Sequence, residues 1–230
     1  MKPFTTLQIH PIMKNSFILF LLCLSTSLSA QKIELIQGIH VNKFIGTYNN
    51  PSYQNSFTPH SGYNIRFAYE SPKTKKMSWR LAIGYQKYSS DFRTGDGGHG
   101  GGFYVQAKID KSVVSFIIYP LNLTFWDKLN INLGFAFSTT ISNSYDGVRT
   151  HWTLTEPSTT DDLHDLYETY NSFGHFGLTG RLAYDFKLSS KMTLSPQYAY
   201  YYGISSEFQQ FPSDARTMRH YYCVGIGWKL

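Results

Sequence analysis

Tyr63-Asn64-Ile65-Arg66-Phe67-Ala68-Tyr69-Glu70 is the stretch on which the fold turns. Every second residue is aromatic or aliphatic, and those between are small or polar. In an extended strand, successive side chains point to opposite faces. Tyr63, Ile65, Phe67 and Tyr69 therefore share one face, and Asn64, Arg66, Ala68 and Glu70 the other. The same alternation recurs seven times. Residues 32–45 set Ile33, Leu35, Ile39 and Val41 against Glu34, Gly38, His40 and Asn42. Trp79, Leu81, Ile83 and Tyr85 oppose Arg80, Ala82, Gly84 and Gln86. Residues 113–125 place Ile117, Tyr119, Leu121 and Leu123 outward, with Pro120, which cannot donate to a ladder, marking a bulge or a gap in pairing. Further along, Ile131, Leu133, Phe135 and Phe137 oppose Asn132, Gly134, Ala136 and Ser138, and Leu178, Leu182, Tyr184 and Phe186 oppose Thr179, Arg181, Ala183 and Asp185. Leu194, Tyr198, Tyr200 and Tyr202 oppose Ser195, Gln197, Ala199 and Gly203. Tyr222, Val224, Ile226, Trp228 and Leu230 oppose Cys223, Gly225, Gly227 and Lys229.

A soluble barrel keeps its apolar residues inside. Here the chemistry is inverted: one face is large and apolar, the other small or polar. The pattern predicts an all-β fold, an eight-stranded antiparallel transmembrane β-barrel whose lumen is filled by side chains. The 18 Tyr and 17 Phe among 230 residues fit the aromatic belts of such a barrel. Connections near 71–78, 126–130 and 188–192 are short, and those near 46–61, 89–102, 143–172 and 204–218 are long. Short turns face the periplasm and long loops the exterior. Tyr69, Trp79, Phe125, Phe186 and Trp228 then share the periplasmic depth, and Tyr63, Tyr85, Tyr202 and Tyr222 the outer one.

Residues 1–30 read as an N-terminal extension and signal peptide, leaving 31–230 as the barrel domain. Met13-Lys14 opens a basic start, Phe17 to Leu24 is an apolar core too short to span a bilayer, and cleavage is expected after Ala30, with Met13 as an alternative start. Cys23 would be the acylated residue of a lipoprotein, but the bulky Leu22 precedes it. Removal of Lys2 and Lys14 lowers the formal charge from +6 to +4. The remaining cations are scattered, which argues against nucleic acid as a partner. Only Cys223 remains after cleavage, which excludes an intramolecular disulfide.

Glu34, Glu70, Arg80, Asp185 and Lys229 fall on the inward face near the periplasmic end, so a lumenal ion-pair network is expected there. Glu70 should meet Arg80 across a hairpin, and Glu34 should meet Lys229 where the barrel closes.

The segment Phe116-Ile117-Ile118-Tyr119-Pro120-Leu121-Asn122-Leu123 resembles the fourth strand of the PorT-like family of small eight-stranded outer-membrane barrels of Bacteroidota, with Ile118 where a glutamate is usual and Asn122 within the leucine run. The C-terminus is similar to the signal read by the barrel-assembly machinery, with Gly225, Trp228 and Leu230 at the glycine, aromatic and terminal hydrophobic positions. The resemblance implies a bacterial outer-membrane location, contact with outer-membrane lipid and the assembly machinery, and an unidentified extracellular ligand or envelope partner. It also raises a place in a secretion or gliding assembly as an alternative role.

An enzyme at the outer rim would draw on His99, His151, His164, His175 or His220 with Asp91, Asp96, Asp161, Asp162 or Asp165. No histidine stands at tight spacing to a serine on one strand face, as an activated nucleophile would require. Asp161-Asp162-Leu163-His164-Asp165 is the densest group. Leu163, Leu166, Tyr167 and Tyr170 lie at helical spacing, and Asp161, His164 and Asp165 are weak metal candidates. The run Gly95–Gly102 lacks the Lys-Ser/Thr of a phosphate loop and reads as a flexible hairpin tip. Lys73, Lys75 and Lys76 mark a basic periplasmic turn. No cofactor and no catalytic residue is expected. The leading function is a structural or binding barrel acting through its outer loops, above all 143–172.

Overall fold

The computed structural model describes residues 32–46, 56–72, 77–98, 100–162, 174–207 and 215–230. The leader, Lys73, Lys75, Lys76, His99, His164, Asp165 and the expected helix lie outside the described residues. The strands are β1 (Lys32–Gly46), β2 (Ser56–Pro59), β3 (Ser61–Glu70), β4 (Met77–Gly98), β5 (Gly101–Phe125), β6 (Leu129–Thr153), β7 (Thr159–Asp162), β8 (Gly174–Tyr184), β9 (Phe186–Lys187), β10 (Met192–Gly203) and β11 (Ala215–Trp228). β1, β3, β4, β5, β6, β8, β10 and β11 pair antiparallel in that order, and β11 pairs back onto β1. The eight-stranded ring has no free edge.

The pairing fixes the size of the ring. Starting at Ile33 and following paired residues through Tyr69, Leu81, Ile118, Phe135, Leu178, Tyr202 and Met218 returns to β1 at Lys43, a stagger of ten residues. With a rise of about 3.3 Å per residue and strands about 4.7 Å apart, that stagger sets a tilt of about 41° and a backbone radius of about 8 Å. Such a lumen holds side chains and no channel. Ten residues of β1 then climb about 25 Å along the axis, the height of an outer-membrane apolar band.

The outer wall supplies that band. Phe67, Ile83, Leu133, Phe135, Phe137 and Val224 are each at least half exposed. Water would penalise so continuous an apolar surface, and lipid does not. Ring pairs Tyr69–Trp79 and Tyr63–Tyr85, with centroids 5.3 and 6.1 Å apart, lie at its lower and upper margins. The turn at the lower margin between β5 and β6 is tight. Trp126 and Asp127 both take positive φ (50° and 55°), and the Lys128 amide donates to the Phe125 carbonyl at 3.1 Å. A two-residue turn of this hand matches the twist of the flanking strands.

Three expectations need correction. Ile117 and Tyr119 face the lumen and are buried, while Leu121 and Leu123 face outward. The β5–β6 register shifts between Ile118 and Leu121, so an extra residue at Pro120 turns the strand over. Second, 89–98, 101–102, 143–153 and 159–162 are strand. β4 and β5 stay paired from Tyr88–Lys111 up to Gly98–Gly101, and β6 follows β5 to Thr153. Gly97–Gly102 and Gly98–Gly101 are the last pairs of this long hairpin, so the glycine run marks its tip. Third, Lys229 lies past the end of β11. Its amide donates to the Lys191 carbonyl and its side chain is exposed, so it does not enter the lumen.

Candidate functional site

Two polar clusters occupy the lumen, one at each end. The lower is built on Arg80, whose side chain is 1 % exposed. Its Nη2 donates to Glu34 Oε2 at 2.5 Å and its Nη1 to Glu70 Oε2 at 3.4 Å. Arg181 shares the Glu34 carboxylate at 3.4 Å and donates to Asn132 at 2.7 Å and Gln197 at 2.5 Å. Ser78 donates to Glu70, and Asn122 donates to Ser78. β1, β3, β4, β5, β6, β8 and β10 each contribute a side chain. β11 contributes space: a Cβ on Gly225 would overlap Glu34 Oε1. Beneath this hub, Lys32 pairs with Asp185 at 2.9 Å, and Ser195 donates to the same carboxylate at 2.5 Å.

Of the five residues expected to pair, Glu34, Glu70 and Arg80 come together, Asp185 pairs one layer below, and Lys229 takes no part. Lys32 stands where Lys229 was expected. The signal was present, since Lys32 shares the parity of Glu34, as Arg181 shares that of Asp185.

Above the hub, the middle of the lumen is filled by Ile36, Ala68, Ala82, Ile117, Tyr119, Ala136, Ala199 and Tyr221, all buried. The Arg66 guanidinium lies over the Tyr221 ring, 3.9 Å from its centroid, and Tyr221 donates to Gln86 at 2.9 Å.

The upper cluster is closed by Glu207, which lies beyond the end of β10 and is wholly buried. Arg219 Nη2 donates to its carboxylate at 2.5 Å, Lys111 Nζ lies 3.2 Å away, and the Tyr88 and Thr217 hydroxyls also donate to it. Burial pushes the Glu207 carboxyl up from its ordinary range, against the pull of Arg219. Lys111, above the apolar band, is pushed down by burial and by Arg219. Glu207 was not foreseen, because it sits in a connection with no alternation to place it. The carboxylate is a latch that pins the start of the β10–β11 connection into the mouth.

Beyond the band, β4, β5 and β6 continue as a sheet with β2 and β7 at its edges. Phe44, Tyr88, Val105, Ala107, Ile109, Val113 and Tyr145 form its buried apolar side. The opposite side carries Tyr104, Val148 and Trp152, each between 38 and 41 % exposed, with Thr150 between them in the ladder. The edge strands are pinned by His60–Asp91 at 2.9 Å and His151–Asp161 at 3.8 Å.

Of the rim-enzyme candidates, His151 and Asp161 meet at 3.8 Å, and His99, His164 and Asp165 lie outside the described residues. His175 is buried in the upper lumen, where its Nε2 meets Arg219 at 3.3 Å. His220 faces the membrane and meets the Tyr198 hydroxyl at 2.7 Å. Asp161 is a β7 residue, and the described residues contain no group of three potential metal ligands. Of the assembly-signal residues, Gly225 faces the lumen, Trp228 faces outward, and Leu230 is exposed beyond the strand.

No protein-family model and no curated protein matches the sequence. Similar solved structures are the Neisserial surface protein A (10 % identity, 86 % of this chain and 97 % of that one, TM-score 0.39), the attachment invasion locus protein Ail of Yersinia pestis with the heparin analogue sucrose octasulfate (9 %, 86 % and 99 %, 0.37), and the outer membrane protein OprG of Pseudomonas aeruginosa (12 %, 87 % and 96 %, 0.42). The barrel assignment rests on the closed ring of paired strands.

Arg80→Ala should destabilise the barrel by about 3–5 kcal/mol, because it takes the cation from Glu70 and leaves Glu34 with Arg181 alone, and Glu70→Ala should cost less. Urea unfolding in lipid vesicles measures both, and equal or inverted effects would refute the hub. Glu207→Ala should leave the barrel folded while releasing the β10–β11 connection. Trypsin would then cleave near Arg216 several-fold faster than in the parent chain.

Proposed function

We propose that this chain is a bacterial outer-membrane protein whose sealed barrel displays the β2–β4–β5–β6–β7 sheet outside the cell as a non-enzymatic binding surface. The observation that carries the reading is the continuation of β4, β5 and β6 some ten residues past the apolar band, ending in an outward aromatic patch of Tyr104, Val148 and Trp152. Aromatic side chains on a rigid sheet lose little conformational freedom on contact, and they are the residues that most often anchor a protein partner. A lumen filled from Lys32 to Glu207 leaves the exterior as the place for function.

The closed ring with short turns at one end supports an outer-membrane location, since only closed barrels of strands satisfy their backbone in lipid. The resemblance of residues 116–123 supports a place among the PorT-like barrels of Bacteroidota. Gly225, Trp228 and Leu230 support recognition by the barrel-assembly machinery. A role in an envelope assembly would use the same projecting sheet with a protein partner.

The protein extracted from membranes should migrate faster in SDS unheated than boiled, and should show no single-channel conductance. Unshifted mobility together with a soluble fraction would overturn the barrel reading. Topology has its own test. Cys223, the cysteine among the described residues, is buried, so background labelling is low. A membrane-impermeant maleimide on intact cells should modify Thr150→Cys and spare Lys191→Cys. The reverse pattern would place the sheet in the periplasm.

A further inference from the structure

At the tip of the projecting sheet two aromatic rings lie along the surface. Trp152 on β6 pairs with Gly102 on β5, which pairs with Gly97 on β4. A Cβ on Gly97, two strands from Trp152, would come within 3.2 Å of the indole Cζ2. With strands about 4.7 Å apart, the indole reaches that far only by lying down across Gly102. Tyr104 leans the same way, since a Cβ on its partner Gly95 would come within 3.4 Å of its Cδ2. Glycines 95, 97 and 102 are the floor that lets both rings lie flat, with their outer faces toward solvent. Tyr104 stands opposite Thr150, and Trp152 lies two residues beyond on the same face, so the rings are diagonal neighbours about 7–8 Å apart.

Polar side chains frame the rings. Arg93, Gln106, Val148 and Asp162 form the next row across the sheet, and Thr160 pairs with Thr150, their hydroxyls 3.3 Å apart. Arg93, Gln106 and Asp162 are exposed, and among the described residues none of the three has its side chain in a hydrogen bond or ion pair. Charges of both signs are mixed on this face, Arg93 and Lys108 against Asp110, Asp146 and Asp162, so it carries no one-signed field to select a charged ligand. Tyr104, Val148 and Trp152, each about two-fifths exposed, present on the order of 250 Å², whereas a stable protein interface takes about 800 Å² from each partner. Rings laid flat also neither project as knobs nor frame a pocket, as the anchors of a protein interface do. We propose that this platform binds a neutral oligosaccharide, with one sugar on each ring. The C–H face of a pyranose is apolar and slightly positive, and the negative face of an aromatic ring attracts it. The hydroxyls project from the edge of the sugar, where Arg93, Gln106, Thr160 and Asp162 supply donors and acceptors. The inference rests on the reading of the sheet as an extracellular binding surface, and gives that surface a ligand class.

The test titrates the full mature chain in neutral detergent with neutral tetrasaccharides of glucose, galactose and N-acetylglucosamine, and with a sulfated tetrasaccharide for comparison. Saturation-transfer NMR reads contact with the sugar C–H protons. At least one neutral tetrasaccharide should bind, and W152A and Y104A should each weaken it about tenfold, the loss of one stacked ring. W152F should restore part of the binding. G97V removes no contact but lifts the indole from its floor, and should weaken binding too. W126F, at the opposite rim, should bind like the parent, and every variant should still shift on boiling. Because the ligand is uncharged, raising salt to about 0.5 M should leave binding unchanged, a readout that needs no variant to fold. Failure of all the neutral tetrasaccharides to bind, a preference for the sulfated one, or W152A and Y104A binding like the parent would overturn the proposal. Thiol labelling at Thr150→Cys separates the two readings. Labelling from outside without sugar binding rejects the oligosaccharide alone, and protection from outside rejects the display of the sheet.

Discussion

Every strand of this barrel depends on the pairing of β1 with β11. In hydrocarbon, an unpaired amide or carbonyl costs several kcal/mol, so a sheet survives there only if it has no edge. The pairs from Ile33–Trp228 to Gly46–Ala215 remove the last edge. They also fix the stagger, and with it the tilt and the radius. A radius of about 8 Å leaves no room for water to hydrate a charge in the lumen, so charges there must be compensated by side chains. The polarity of the inward face follows from the lipid outside, and the pairing of that polarity follows from closure.

The lower hub meets this constraint with a balanced set. Glu34, Glu70 and Asp185 stand against Lys32, Arg80 and Arg181. Arginine is suited to the centre because its planar fork can reach two carboxylates or amides at once, as Arg80 and Arg181 both do. Small residues are equally necessary. The Gly225 position leaves room for the Glu34 carboxylate, and at Gly84 a Cβ would come within 2.6 Å of Arg66 Cγ. The small inward residues of the sequence pattern are space for the long charged ones on neighbouring strands.

Most of the architecture was legible because period-two alternation is local: each strand declares its own faces. The parity of β1, β3, β8, β10 and β11 needed no knowledge of the rest of the chain. Where the reading went wrong, the cause was not local. The flip at Pro120 depends on how β5 meets β6, which alternation on β5 alone cannot report, although proline did flag the place. Lys229 obeys the parity of its strand, but the strand ends one residue before it. The connection 89–102 reads as a long loop by composition, whereas residues 89–98 are held extended by their β5 partners up to the hairpin tip that the glycine run did mark. Glu207 comes from a connection, and only the folded barrel brings it to Arg219, Tyr88 and Lys111.

A sealed lumen changes where function can reside. With the Glu34–Arg80 hub at one end and the Glu207 latch at the other, the interior is a scaffold. Its rigidity matters to whatever the outer surface does. The β4–β5 ladder runs in register from Arg80 to Gly98, and β6 follows β5 into the projecting sheet past one register shift at Ser112–Val113, so the aromatic patch around Trp152 is carried on strands continued from the barrel. A binding surface built on continued strands is pre-organised in a way a loop is not, and loses less entropy on contact.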